Sequence, residues 1–243
     1  MSNNIPVLEI FGPTIQGEGM VIGKKTMFVR TAGCDYSCDW CDSAFTWDGS
    51  AKDDIVPMTA DEIWLRLNEL AKDNFSHVTI SGGNPALLKH LVQLIDRLKE
   101  SQIDVAIETQ GSVWQDWFLL VDDLTISPKP PSSKMKTDYS VLDSIILKLV
   151  EGDRQANTSL KVVVFNDEDF NYAKKITTRY PQIPFYLQLG NSDVGAIDNQ
   201  ELTERLLEKY QWLINKTLGE QALNDARVLP QLHTLLWGNK RGV

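Results

Sequence analysis

The three cysteines of the chain, Cys34, Cys38 and Cys41, fall within one short segment. Soft thiolates that are so close together suit zinc or an iron–sulfur cluster. A structural zinc site takes four protein ligands, and a [4Fe–4S] cluster ordinarily takes four thiolates. Either a fourth ligand therefore comes from elsewhere in the chain, or one iron is left open to an exogenous ligand.

The zinc alternative would need a histidine as its fourth ligand. The chain has His77, His90 and His233, and none of them is near the cysteines in sequence. His77 begins a predicted strand and His90 lies in a predicted helix, so both are better explained as structural residues. An open iron can instead bind S-adenosylmethionine through its amino and carboxylate groups, and radical chemistry from such a cluster is a known cofactor strategy.

Composition excludes several classes of function. Hydrophobic residues make up 42% of the 243 residues and charged residues 23%, as in an ordinary globular protein. The net charge of −9 disfavours a nucleic-acid-binding face, which needs clustered Lys and Arg. No apolar run reaches the ~20 residues of a membrane span, and residues 1–10 lack the pattern of a signal peptide. We therefore expect a cytoplasmic protein with no nucleic-acid or membrane partner.

The elements that must position the cysteines alternate between strand and helix. After a short strand at 7–10, strands are predicted at 26–31, 77–80, 103–108, 124–127, 160–165, 185–189 and 227–229. Helices are predicted at 60–72, 85–100, 141–150, 167–180 and 200–217. This alternation predicts βαβ units with a parallel sheet. We expect one α/β domain over residues 1–243, a partial TIM-like parallel β/α barrel of six to seven strands.

Polar motifs follow the predicted strands rather than precede them. They are the cysteine segment, Ser81-Gly82-Gly83, Glu108, Ser127-Pro128-Lys129, Gln188 and Gln231. The carboxyl ends of strands in a parallel barrel converge on one mouth, where active sites lie. Polar loops after strands are also common without any function. We predict that these motifs form one site.

Two of these motifs resemble a known superfamily. Cys34-x3-Cys38-x-Trp40-Cys41 resembles the radical S-adenosylmethionine signature, and Gly82-Gly83 resembles the glycine motif of that superfamily. Asn84 stands where the superfamily often has Glu. An amide at this position can still accept a hydrogen bond from the cofactor amine.

The resemblance narrows when further segments are included. Residues 14–19, 28–30, 41–43, 127–129 and 230–233 resemble the 7-carboxy-7-deazaguanine synthases. The resemblance implies a lyase that converts 6-carboxy-5,6,7,8-tetrahydropterin to 7-carboxy-7-deazaguanine with loss of ammonia, through a 5′-deoxyadenosyl radical, on the route to queuosine. It also implies a [4Fe–4S] cluster, S-adenosylmethionine, Mg²⁺, a flavodoxin- or ferredoxin-like electron donor and a homodimer.

The resemblance also assigns roles to individual residues. Cys34, Cys38 and Cys41 would hold the cluster, with the fourth iron open. The positions that contact S-adenosylmethionine would be Asp39, Trp40, Cys41, Gly83, Ser127, Pro128 and Lys129. The positions that contact the substrate would be Ile15, Gln16, Gly17, Arg30 and Ser81. Ser43 matches a Mg²⁺-binding position.

Two further substrate contacts are predicted from position. Glu108 ends a strand at the proposed mouth, where its carboxylate can accept hydrogen bonds from the guanidine-like edge of a pterin. The terminal residue Val243 can close over the substrate with its carboxylate. The alternatives are an ion pair of Glu108 with a neighbouring Lys and a frayed, solvated terminus. For Arg30, the alternative to a substrate contact is a surface salt bridge. For Ser43, the alternative to Mg²⁺ binding is a turn-capping role.

Two other functions remain open at this point. One is an activase that generates glycyl radicals on a protein partner, which Gln16 and Arg30 argue against. The other is a zinc-stabilised binding module without catalysis. Metal analysis separates the second from an enzyme, because a cluster brings about four irons per chain.

Overall fold

A computed structural model describes residues 4–243, and residues 1–3 of the predicted single domain lie outside that range. The strands are β1 (Ile5–Ile15), β2 (Lys25–Thr31), β3 (Val56–Met58), β4 (His77–Gly82), β5 (Asp104–Thr109), β6 (Asp123–Ile126), β7 (Thr158–Val164), β8 (Phe185–Leu189) and β9 (Arg227–Leu229). The helices are α1 (Ala60–Ala71), α2 (Leu91–Glu100), α3 (Tyr139–Glu151), α4 (Asp167–Arg179), α5 (Asn199–Leu218) and α6 (Leu232–Trp237).

The strands form one open nine-stranded sheet in the order β3-β1-β2-β4-β5-β6-β7-β8-β9. From β2 through β9 each neighbouring pair is parallel, which confirms the predicted partial barrel. β1 is antiparallel to both β2 and β3. The chain between β1 and β2 is too short for the crossover that a parallel pair requires, so these two strands form a hairpin-like pair.

The first helix begins where the sequence predicts. Thr59 Oγ1 accepts a hydrogen bond from the Glu62 backbone N–H at 3.3 Å, and the Glu62 carboxylate accepts one from the Thr59 N–H at 2.7 Å. This reciprocal capping box satisfies two N–H groups that have no partner within the helix. The sequence predicts an apolar face of Ile63, Leu65, Leu67 and Leu70. Ile63 and Leu67 are buried, whereas Leu65 is 61% and Leu70 38% exposed. The apolar face follows the spacing of four residues, and Leu65 lies off it.

Two helix starts differ from the prediction. The sequence predicts a helix from Pro85, but Pro85 opens a short 3-10 turn that ends at Leu87, and α2 begins only at Leu91. The sequence also predicts Asp167 as the N-cap of α4, whereas the N-cap is Asn166, whose side chain accepts from two backbone N–H groups. Helix α6 and strand β3 were not predicted, because each is too short to show a period.

Helices and sheet enclose one main hydrophobic core. Its centre includes Val78, Ile80, Leu94, Leu124 and Val162, all fully buried. Every residue of β7 is buried, including the charged Lys161. Among residues 4–243, no helix has the length and apolar character that a membrane span requires.

Candidate active site

A cavity of about 310 Å³ opens at the carboxyl ends of the parallel strands. The predicted site residues that line it are Ile15, Gln16, Gly17, Arg30, Cys34, Cys38, Trp40, Cys41, Ser43, Ser81, Gly83, Glu108, Lys129 and Val243. Three predicted cofactor contacts, Asp39, Ser127 and Pro128, do not line it. Asp39 is exposed, while Ser127 and Pro128 are buried. Ser127 supports the wall, because its Oγ accepts a hydrogen bond from Lys129 Nζ at 3.2 Å.

The three thiols lie on one loop between β2 and β3, and the sulfur atoms of Cys34 and Cys41 accept hydrogen bonds from N–H groups. Cys34 Sγ accepts from the Tyr36 backbone N–H at 3.4 Å and from Gln110 Nε2 at 3.6 Å. Cys41 Sγ accepts from Trp47 Nε1 at 3.5 Å. Hydrogen bonds to sulfur are among the features that set the potential of an iron–sulfur cluster.

Burial keeps two of these thiols protonated. Burial raises the pKa of Cys38 to about 11, although the nearby Lys129 ammonium opposes part of the increase. Burial also raises the pKa of Cys41. Because only the thiolate binds metal, loading the loop with a metal must release these protons, and the metal's own charge then holds the sulfurs ionised.

The glycine motif packs directly on the cysteine loop. A Cβ at Gly83 would collide with the Gly33 carbonyl, and one at Gly82 would collide with the Thr31 backbone. The Gly83 N–H donates to Thr31 O at 3.2 Å, and the Asn84 N–H donates to Gly33 O at 2.8 Å. Only glycine allows so close a backbone approach, so the motif fixes the loop that carries the thiols.

Asn84 does not face the cavity, so the predicted contact with the cofactor amine is not supported. Its Nδ2 donates to Asp35 Oδ1 at 2.8 Å and to Ser112 Oγ at 3.0 Å. Its Oδ1 accepts from Thr109 Oγ1 at 2.8 Å and from the Ala86 N–H at 3.2 Å. These four hydrogen bonds occupy both donor and both acceptor positions of the Asn84 amide. Asn84 therefore holds Asp35, next to the first cysteine, in place.

Arg30 connects the cysteine loop to β1. Its Nη1 donates to Ser43 Oγ at 2.8 Å, and its Nε forms an ion pair with Glu9 Oε1 at 2.6 Å. The guanidinium lies between the rings of Phe11 and Phe45, at 5.8 Å and 5.5 Å from their centroids. Arg30 therefore forms a salt bridge and also lines the cavity. Its guanidinium is already oriented for an anionic ligand.

A buried ion cluster forms the other side of the cavity. Lys161 Nζ, on a side chain that is 1% exposed, lies 2.6 Å from Glu18 Oε2 and 2.8 Å from the Glu108 carboxylate. Gln231 Nε2 donates to Glu18 Oε1 at 2.7 Å. His233 Nε2 lies 4.0 Å from the same oxygen. The predicted alternative for Glu108, an ion pair with lysine, is therefore present together with its exposure to the cavity.

The charges of this cluster are held strongly. Burial alone would raise the pKa of Glu18, but the charge of Lys161 and its hydrogen bond outweigh burial and lower that pKa to about 2. Burial likewise opposes the charge of Lys161, but Glu108 and Glu18 raise its pKa above the ordinary value. One ammonium therefore faces two carboxylates, so Lys161 with Glu18 and Glu108 sums to one excess negative charge beside the cavity, apart from the charge of His233.

Comparison with known proteins identifies the family. Residues 28–127 match the radical SAM superfamily. The chain is 68% identical over 243 residues to the 7-carboxy-7-deazaguanine synthase of Bacillus subtilis, covering all of both chains. The chain belongs to the 7-carboxy-7-deazaguanine synthase family. The Bacillus cereus family member is 64% identical over 99% of this chain and all of its own.

Solved structures agree with the fold of the 7-carboxy-7-deazaguanine synthase family. A crystal structure of QueE from Escherichia coli superposes with a TM-score of 0.64 at 20% identity, over 95% of each chain. SuiB of Streptococcus suis, bound to its precursor peptide SuiA, gives 0.59 at 16% identity, over 86% of this chain and 49% of that one. At such identities the likeness concerns the fold alone. The predicted family and enzyme class are confirmed by the closely similar Bacillus proteins.

The donor set fits the [4Fe–4S] cluster and S-adenosylmethionine that the synthase family implies. Within residues 4–243, no three His, Cys, Asp or Glu side chains converge on a single ion. A zinc site needs such convergence, whereas the three thiolates of a cubane each bind a different iron. The three cysteines line one cavity, and the sulfurs of Cys34 and Cys41 have N–H donors of the kind that tune a cluster.

The main residues that sequence analysis missed are Lys161, Glu18 and Glu9. Lys161 has a visible signal, since it is a charged residue inside the apolar run Leu160–Val164. Glu18 belongs to a recognised motif but had no assigned role. Gly17 also has a packing reason for being glycine, because a Cβ there would collide with His233. These partners come from distant parts of the chain, so no local spacing relates them.

Proposed function

We propose that the chain converts 6-carboxy-5,6,7,8-tetrahydropterin to 7-carboxy-7-deazaguanine with loss of ammonia, in the biosynthesis of deazapurines such as queuosine. One observation carries the proposal. A single cavity joins a three-thiol loop, an oriented guanidinium at Arg30 and a carboxylate pair at Glu18 and Glu108. The names of the Bacillus relatives support the same product.

The two ends of the cavity match the two ends of this substrate. The Arg30 guanidinium suits the substrate carboxylate, because a planar donor pair matches its geometry. At the other side, the excess negative charge of the Lys161 cluster suits the N–H groups of an aminopyrimidinone edge. Gln16 also lines the cavity, and its amide offers both donor and acceptor atoms.

Cofactor binding falls to the loop and the wall beside it. Cys34, Cys38 and Cys41 would hold the [4Fe–4S] cluster, and Trp40, Gly83 and Lys129 face the space beside it. When bound, the reduced cluster and S-adenosylmethionine supply the 5′-deoxyadenosyl radical that abstracts hydrogen from the substrate. The remaining work of the protein is to orient the substrate and exclude water. Lys161 is a fixed cation in this arrangement, since its raised pKa prevents it from acting as a base.

Mg²⁺ is proposed to bind at Ser43, together with the substrate carboxylate. Ser43 Oγ donates to Asp42 Oδ1 at 3.0 Å, and both residues line the cavity. A hydroxyl, a carboxylate and water are the oxygen ligands that Mg²⁺ prefers. The alternative of a turn cap is weaker, because no backbone N–H donates to the Ser43 hydroxyl among the described residues.

Ser43→Ala is expected to reduce the stimulation of turnover by Mg²⁺ by at least about tenfold, because the hydroxyl ligand is lost. The measurement is initial rate against Mg²⁺ concentration under anaerobic conditions. Ser50→Ala, at an exposed serine of the same loop, is the matched control and should respond like the natural chain. An unchanged Mg²⁺ response of Ser43→Ala would place the metal elsewhere.

The proposal includes three features of the protein in the cell. The electron donor is a flavodoxin- or ferredoxin-like protein, the enzyme is a homodimer, and its compartment is the cytoplasm. The resemblance supports the first two. The third is the compartment expected for a small-molecule biosynthetic enzyme like the Bacillus relatives.

The deciding experiment is anaerobic incubation of the reconstituted enzyme with S-adenosylmethionine, a reductant, Mg²⁺ and the carboxypterin. We expect a deazapurine product, identified by mass and ultraviolet absorbance, and release of ammonia. Turnover of S-adenosylmethionine to 5′-deoxyadenosine without a deazapurine would contradict the proposed substrate while retaining the enzyme class. A protein that contains stoichiometric zinc and no iron would contradict both.

A further inference from the structure

The last six residues, 238–243, all line the cavity. They follow α6, and Asn239 fastens their first half to the loop after β8. Asn239 Nδ2 donates to Asp193 O at 2.9 Å and to Ala196 O at 3.1 Å, and its Oδ1 accepts from Asn191 Nδ2 at 2.8 Å. The residues beyond this anchor, 240–243, are attached at a second point.

Arg241 supplies that attachment. Its Nε donates to Glu9 Oε2 at 2.8 Å, across a separation of 232 residues. Its guanidinium carbon lies 3.8 Å from the centroid of the Phe45 ring. Glu9 belongs to β1 and Phe45 to the cysteine loop. The tail is therefore fastened to the loop that carries the thiols and to the strand beside it.

Glu9 forms ion pairs with two arginines at once. Its Oε1 forms the ion pair with Arg30 at 2.6 Å while its Oε2 accepts from Arg241. Both guanidiniums also approach the same Phe45 ring. One carboxylate cannot neutralise two cations, so the trio keeps one excess positive charge. The residue that fastens the tail and the residue proposed to bind the substrate carboxylate thus share one anionic partner.

We propose that Arg241 is a positioning residue, which holds the C-terminal tail over the substrate cavity through Glu9 and Phe45; this rests on the proposed function. Among residues 4–243, Arg241 makes the one side-chain hydrogen bond of the tail beyond Asn239, so this part of the tail would lose its anchor without it. Glu9 would then balance Arg30 alone, which cancels the excess positive charge and weakens attraction for an anionic substrate group. Both effects lower affinity for substrate more than they alter the radical step.

A purely superficial ion pair would behave differently. Exposed pairs contribute little, and the Arg241 side chain is 42% exposed. Its partner Glu9 is only 18% exposed, however, and its guanidinium also stacks on an aromatic ring, an arrangement that strengthens the attraction. Substrate affinity distinguishes the two cases, because a superficial pair leaves KM unchanged.

The experiment compares Arg241→Ala with Lys240→Ala, which removes the same charge from the adjacent exposed residue. Within the described part of the chain Lys240 forms no ion pair. For Arg241→Ala we expect KM for the carboxypterin to rise about tenfold with a smaller change in kcat. Arg241→Lys keeps the charge but loses the planar stacking, so its KM should lie between those of Arg241→Ala and Lys240→Ala. Hydrogen exchange of residues 240–243 should quicken in Arg241→Ala and stay unchanged in Lys240→Ala.

The outcomes separate this proposal from the proposed function. If the natural enzyme turns over the carboxypterin and Arg241→Ala matches it in KM and in tail exchange, the positioning role is wrong. If the two tail variants change KM equally, a general charge effect replaces the specific attachment. If no protein turns over the carboxypterin but tail exchange still quickens only in Arg241→Ala, the attachment stands and the proposed substrate is wrong.

Discussion

Cys38→Ala is expected to reduce iron from about four atoms per chain to near zero after anaerobic reconstitution, with loss of product formation. Cys38 is buried, whereas Cys34 and Cys41 are partly exposed. Burial raises the pKa of the Cys38 thiol to about 11. A buried thiolate is stable only with a cation beside it, so bound iron is what makes this sulfur anionic. The measurements are iron and sulfide content and visible absorbance.

The same variant should fold normally. Alanine is smaller and apolar, so the metal-free Cys38→Ala chain should match the metal-free natural chain in circular dichroism. Ser37→Ala, at the exposed neighbouring residue, is the matched control and should reconstitute fully. A Cys38→Ala protein that still contained four irons would mean that another residue is the third ligand.

The cysteine loop shows how far sequence could lead. Spacing alone singled out the three thiols as candidate metal ligands, because residues on one loop are close together in the sequence. Local pattern likewise predicts the start of α1 and the bounds of β8 and β9, which match the structure. Each of these features depends on residues that are close along the chain, so a local pattern is sufficient to reveal it.

The other half of the site could not be found in this way. Lys161 lies on β7, Glu18 precedes β2 and Gln231 precedes α6, and only the folded chain brings them together. Asn84 shows a second limit, since its place in a motif left its role open, and the structure gives its partners as Asp35, Ser112, Thr109 and Ala86. Position in a motif does not reveal which way a side chain points.

The two halves also carry opposite charge. Glu9 with Arg30 and Arg241 has one excess positive charge, whereas Lys161 with Glu18 and Glu108 has one excess negative charge. A ligand with an anionic group at one end and N–H donors at the other would be oriented by this field before any chemistry occurs. The net charge of −9 conceals this arrangement, because it sums over the whole surface.

Lys161→Met is expected to lower the free energy of unfolding by about 3–5 kcal/mol, because removing one partner of a buried ion pair leaves an uncompensated charge. Glu18 and Glu108 would then lie beside the cavity without their shared cation. Affinity for the carboxypterin should also fall, since the two carboxylates lose their fixed positions. Urea denaturation near neutral pH and substrate binding measure the two effects.

The loss of unfolding free energy in Lys161→Met should depend on pH in a defined direction. In the natural chain Lys161 outweighs burial and lowers the pKa of Glu18 to about 2, so this carboxylate stabilises the fold above about pH 4.5 and loses that contribution as pH falls toward 2. In Lys161→Met burial acts without the cation and raises the pKa of Glu18. Its contribution is then present at acid pH and lost as pH rises. The difference in stability between the two proteins should therefore shrink between about pH 7 and pH 4.

Lys216→Met is the matched control, because Lys216 pairs with Asp167 at 2.8 Å on side chains that are 43% and 67% exposed. Its effect should stay below about 1 kcal/mol at every pH, as for other surface pairs. If Lys161→Met instead lost the same free energy of unfolding at both ends of the pH range, the loss would come from packing in β7. Only a loss that grows with pH shows that Lys161 keeps the Glu18 carboxylate ionised beside the cavity.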